Sequence, residues 1–268
     1  LHPGETLSQP VKTFHVALVH SICDLSAIIS LLITNWSTIY YGYSGILNRG
    51  TIINPHLPKK IGSGSDSYLW TKNRIKSLYD QIKDWKDTDI TTKNHGIWSV
   101  KKLIALDCYI KPFVNIMRKN FDKIYYVDPF SGTGLIKLKG NLFPGSPLIP
   151  LLSHQTIPFD KYYLSDINSR YVVVLKKRIS RIKKNRDIHV ESQVLSFCEI
   201  SKRLFTGRKP TNWLDIGYLV FLDPFGLQVD WTSMERIMTS GAVDMIFTFM
   251  TWAIVWNKSN KLSKKRLT

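Results

Sequence analysis

Three observations in the sequence predict an α/β fold built on a doubly wound, mainly parallel sheet. Short β-branched and aromatic runs alternate with helical patterns along the second half of the chain. Three of those runs end in an aspartate: Asp128, Asp166 and Asp223. The first of these is followed by Gly132 and Gly134, a turn that permits close backbone approach to a ligand. In an open parallel sheet, ligands bind outside the carboxyl ends of the strands, so the aspartates mark that edge as the functional one. The whole is the expectation of a Rossmann-like domain.

The elements follow in order along the 268 residues, a length that accommodates one large domain with an appendage. Residues 14–34 form an apolar run interrupted by His15, His20 and Asp24, close to the length of a membrane span. No basic segment precedes it and no small-residue cleavage pattern follows, which argues against a signal peptide. It reads as a non-native or poorly ordered extension, a packed peripheral helix, or a membrane anchor. Residues 54–67 contain two prolines, a lysine pair and the run GSGSDS, the composition of a linker. Residues 1–67 are therefore assigned to extension and linker, and 68–268 to the Rossmann-like domain.

Residues 68–86 space Leu69, Ile75, Leu78, Tyr79, Ile82 and Trp85 as a half-buried helix. Leu103, Leu106, Ile110, Phe113 and Met117 then recur at helical steps, with Pro112 expected to kink or divide that helix. Strands are expected at 123–127, 162–164, 187–190, 218–222 and 243–249, and helices at 168–184 and 234–238. There is no internal repeat.

Charge limits the partners. Lys and Arg number 37 against 20 Asp and Glu, giving a net charge of +17 and a pI near 9.7. That favours polyanions, with nucleic acid first and an anionic membrane surface second. The dense basic run Lys176, Lys177, Arg178, Arg181, Lys183, Lys184 and Arg186 either contacts phosphates or is a solvated helix face. Cys23, Cys108 and Cys198 are far apart and the seven histidines are scattered, so neither a disulfide framework nor a metal site is expected. Such cysteine usage fits a reducing cytoplasm.

The aspartates are where chemistry is expected. In Asp128-Pro129-Phe130-Ser131-Gly132-Thr133-Gly134, Asp128 and Phe130 flank a glycine turn that is either purely structural or a cofactor loop. A dinucleotide fingerprint needs a further glycine where Lys137 stands, which counts against a nicotinamide enzyme. Asp166 can accept both hydroxyls of a ribose, or cap the following helix. In Asp223-Pro224-Phe225-Gly226, the carboxylate and the Pro224 carbonyl can accept hydrogen bonds from an exocyclic amine while Phe225 stacks on an extruded base. The other reading of that tetrapeptide is a strand-ending turn. Trp231, Trp252 and Trp256 follow it and either line a base pocket or pack in the core.

The runs VDPFSGTG, GSPL at 145–148, FLDPFGLQVDW and VDMIFTF, with the helix HGIWSVKKLIALDCYI before them, resemble the three-Cys-motif partner family (TcmP) over residues 94–256. The cysteine motif of that name belongs to the family's partner, so the cysteines here are coincidental to it. The resemblance implies a class I methyltransferase-like fold, S-adenosylmethionine as cofactor, and a radical-enzyme-like three-Cys-motif protein as partner. It implies cofactor contacts from Asp128, Phe130, Gly132, Gly134 and Asp166. Glu191 takes the place of the acidic residue expected near the adenine after the third strand. Asp223, Pro224 and Phe225 would position an amino acceptor, and a nucleic-acid base is the expected substrate. A non-catalytic subunit that binds nucleotide or nucleic acid is the alternative. The family continues beyond the last strand read here, so a C-terminal truncation is also expected.

Overall fold

The computed structural model describes residues 15–19, 65–85, 97–152, 159–184, 186–207, 216–226, 228–240 and 243–248. Eight strands occur among them: β1 (His15–Val19), β2 (Lys123–Asp128), β3 (Leu135–Leu138), β4 (Asn141–Pro144), β5 (Lys161–Asp166), β6 (Val190–Val194), β7 (Ile216–Leu222) and β8 (Val243–Thr248). Six helices accompany them: α1 (Ser65–Asp80), α2 (Ile97–Asn120), α3 (Ile149–Leu152), α4 (Ser169–Lys183), α5 (Phe197–Phe205) and α6 (Trp231–Met238).

Six strands form one sheet in the order β1-β8-β7-β2-β5-β6, and every neighbouring pair is parallel. From β2 outward the order runs β5, β6 on one side and β7, β8 on the other. The direction of winding therefore reverses between β2 and β7. A crevice at the carboxyl ends of those two strands is the ligand position in such folds. The predicted α/β, mainly parallel architecture is thus the observed one.

Alternation along the strands explains the two helical layers. Ile124, Tyr126, Tyr162, Leu164, Leu219, Phe221 and Ile246 face one core, filled by α1, α2, α3 and α4. Val127, Tyr218, Val220, Leu222, Val243 and Met245 face the other, covered by α5 and α6. The strand IGYLVFL is accordingly buried at six of its seven positions. It reads as a continuous apolar run because both of its faces are covered.

Several local expectations change. Pro112 does not divide its helix: α2 is a single element of 24 residues. The buried stripe from Leu103 to Met117 continues on both sides of the proline and holds the two halves on the sheet. Residues 15–19 of the apolar N-terminal run pair with β8 as an edge strand rather than starting a helix, and the rest of that run lies outside the described residues. The third strand of the sheet is at 190–194, three residues later than read from the sequence.

Strands β3 and β4 and helices α3 and α5 were not foreseen. Strands β3 and β4 form a hairpin through Lys139 and Gly140, both at positive φ, 47° and 84°. That is a two-residue turn suited to the twist of a hairpin, and Gly140 between two alternating runs was its signal. Helix α5 starts from a capping box in which Ser196 and Glu199 exchange hydrogen bonds, written in the sequence as Ser-x-x-Glu. Among the described residues, no helix is long and apolar enough to cross a membrane.

Candidate functional site at the carboxyl edge of the sheet

The fold brings three aspartates to the reversal point. Asp128 is the last residue of β2, level with Leu164 of β5. Asp166 stands two positions beyond that level, at the end of β5. On the other side Val127 is level with Val220, and Asp223 follows directly after β7. The carboxylates of Asp166 and Asp223 both act electrostatically on Asp128.

Asp128 is fully buried. Its Oδ1 accepts the Phe130 amide at 3.1 Å, while its Oδ2 has no hydrogen-bond partner. Burial pushes this carboxyl up to about 7 and the charges of Asp223 and Asp166 add to the rise, against the Ser146 hydroxyl and the Phe130 amide.

The glycine turn is tied to Asp166. The Gly132 amide donates to Asp166 Oδ2 at 3.0 Å, and the Asn168 amide donates to Oδ1 at 2.8 Å. The Ser131 amide and hydroxyl both donate to the Ser165 carbonyl, at 3.0 and 2.9 Å. Asp166 is therefore not the helix cap. Asn168 is, accepting the Arg170 amide. Each Asp166 oxygen accepts one amide and retains a second lone pair for a ligand.

The two glycines do different things. Gly132 has φ +54°, and a Cβ there would meet nothing within 4 Å, so its outer side is open. Gly134 has φ +85°, and a Cβ would come within 2.7 Å of Leu175 and 3.2 Å of Leu148. It packs the turn against α4 and the GSPL segment, whose Gly145 amide donates to the Gly134 carbonyl at 2.7 Å.

Arg178 completes that support. Read from the sequence as part of a basic surface, it is 2% exposed and donates to the Thr133 carbonyl at 2.6 Å. Its place on the buried arc of α4, with Leu175, Ile179 and Ile182, was the available signal.

Asp223 has a partner that the motif did not announce. The Lys102 ammonium, from α2, lies 2.6 Å from its Oδ1 and 2.7 Å from its Oδ2. The two side chains are 14% and 24% exposed. Lys102 belongs to a pair of lysines on an amphipathic helix, and nothing in its spacing distinguishes it from the solvated lysines nearby. Pro224 is buried behind Asp223, whereas Phe225 is 71% exposed. Phe130 faces inward on Phe197, with ring centroids 5.7 Å apart, and so buttresses the turn from α5.

Glu191 is not part of this group. Because the third strand runs to Val194, Glu191 is its second residue, level with Tyr163 and about 10 Å short of the carboxyl end. There it pairs with Lys161 and, at 2.7 Å, with Arg203. Val194, Leu195 and Ser196 occupy the position at which an acidic residue was expected.

Large apolar side chains are exposed along the same edge. Ile167 follows Asp166 and is 72% exposed, Val194 ends β6 at 50%, and Trp231 opens α6 at 68%. Trp252 and Trp256 lie outside the described residues. Among the described residues, no three His, Cys, Asp or Glu side chains are placed to hold a metal ion.

The domain is an open parallel α/β sheet flanked by helices, with Asp128, Asp166, Asp223 and a supported glycine turn at its carboxyl edge. No protein-family model matches the chain, and a search of curated proteins finds no match to it.

Proposed function

We propose that the chain is an S-adenosylmethionine-binding, methyltransferase-like protein that passes a methyl group to an amino nitrogen, with a nucleic-acid base as acceptor. The observation that supports this reading is the placement of Asp128, Asp166 and Asp223 at the carboxyl ends of three neighbouring parallel strands, with the Gly132 amide bonded to Asp166. The residues fit such a cofactor. The outer side of Gly132 is open, and Asp166 keeps lone pairs for a ribose.

Bound there, the cofactor would supply a sulfonium methyl group to an acceptor nitrogen. Asp166 would orient the ribose and, through the Gly132 amide, the loop. Ile167 and Val194 would cover an adenine from the edge of the sheet. Asp223 and the Pro224 carbonyl would accept hydrogen bonds from the acceptor's amino group, and Phe225 would stack on its ring. For this, Lys102 must share or release Asp223. By the resemblance to the TcmP family, a three-Cys-motif protein would be the chain's partner.

A second reading has its own observation. Lys102 occupies both oxygens of Asp223, which favours a non-catalytic subunit that binds a nucleotide or nucleic acid. Incubating the full chain with methyl-tritiated S-adenosylmethionine and bulk RNA or DNA separates the two. Label transferred to base nitrogens, and lost in Asp223→Asn, supports the methyltransferase. Cofactor binding without transfer favours the subunit.

A further inference from the structure

Helix α4 is one-sided in charge. It buries Val172, Leu175, Arg178, Ile179 and Ile182. Its exposed side carries Arg170, Lys176, Lys177, Arg181 and Lys183, followed at once by Lys184. At 3.6 residues per turn these six cations fall within an arc of roughly 160°, along about 21 Å of helix. No Asp or Glu occurs from residue 167 to 186. The Arg181 guanidinium lies over the Trp85 ring, 5.7 Å from its centroid, and Trp85 packs on the core beneath. One cation of the row is thereby held in place, with an aromatic edge beside it.

The helix also has a direction. It begins at Asn168, two residues after Asp166, and leads away from the carboxylates. A polyanion is drawn to the cations of the helix rather than to the Asp166 carboxylate at its start. One laid along α4 reaches the crevice only with an uncharged part.

We propose that the exposed face of α4 docks the phosphate backbone of a single-stranded nucleic acid and leads the strand to the carboxyl edge of the sheet. A single strand suits the site because a base can enter the crevice only when unstacked, and Phe225 and Trp231 stand exposed to receive it. Delivery of a base to that edge rests on the functional reading above. Docking of phosphates on α4 does not.

The test is fluorescence anisotropy of the full chain with a labelled single-stranded RNA of mixed sequence, without S-adenosylmethionine, across salt concentration. With six phosphate contacts, log K against log salt should have a slope of roughly −4, a loss of about 300-fold between 50 and 200 mM. Changing Lys176, Lys177, Lys183 and Lys184 to Gln should bring the slope to about −1. Changing Lys111, Lys119, Lys123 and Lys202 to Gln removes equal charge from elsewhere and should leave binding within about twofold, with circular dichroism showing both variants folded. Equal losses from the two sets would overturn the proposal. So would stronger binding to duplex DNA of the same length, or binding to phosphatidylserine vesicles but not to RNA. Because cofactor is absent throughout, failure of the methyltransferase reading leaves these outcomes unchanged.

Discussion

Asp128 has one carboxyl oxygen on the Phe130 amide and the other without a partner, in full burial. Its pKa of about 7 lies above the ordinary carboxylate value of about 3.9. Between those values the folded chain binds more protons than the unfolded one, so stability falls as pH rises. The contribution is fully present below about pH 4 and lost as pH passes about 7. Asp244, pushed up to about 6 by burial against the Tyr109 hydroxyl, acts in the same direction. Asp128→Asn should therefore flatten the fall and be more stable than the native chain at pH 8, by a few kcal/mol. Urea denaturation at pH 5 and pH 8 checks this, and an unchanged slope with pH would refute it. Lys102 and Asp223 call for a double-mutant cycle. Lys102→Met alone strands a partly buried carboxylate and should cost roughly 1–2 kcal/mol, less than for a fully buried pair because both groups touch water. Adding Asp223→Asn should recover about 1 kcal/mol of that.

The glycine loop is held at the scale of elements, by α4 and the segment after β4. Gly134→Ala forces a Cβ toward Leu175 and Leu148 at positive φ and should cost about 2–3 kcal/mol in thermal or chemical denaturation. Gly132→Ala meets no neighbour and should cost about 1 kcal/mol, that of its positive φ alone. Arg178→Leu leaves the Thr133 carbonyl buried without its donor and should cost about 1–3 kcal/mol. These elements also divide what the sequence disclosed from what it hid. The helix at 169–183 was readable from its apolar stripe, and β7 from its continuous buried run. The strand at 190–194 was misread because Glu191, Ser192 and Gln193 dilute its apolar pattern, and that shift alone moved Glu191 out of the site. Helix α5 and the β3–β4 hairpin had local signals in Ser196-x-x-Glu199 and Gly140, but neither has a long period to reveal it. Lys102 had none, since only tertiary packing brings α2 beside the end of β7.

For the whole molecule, the alternation of elements made the parallel sheet legible, and the aspartates fall at its carboxyl edge. The strand order, and with it the reversal between β2 and β7, required the pairings themselves. The edge strand β1 did too, because a short apolar run fits a strand or a helix equally well. The resulting distribution of charge sets carboxylates at the crevice against a chain of net charge +17, with α4 supplying a concentrated part of the excess. The most direct test of the central claim is calorimetric titration of the full chain with S-adenosylmethionine, with NAD titrated separately. Micromolar binding of the former is expected, weakened at least about tenfold in Asp166→Ala, with much weaker binding of the latter. Absence of S-adenosylmethionine binding by folded protein would contradict that claim.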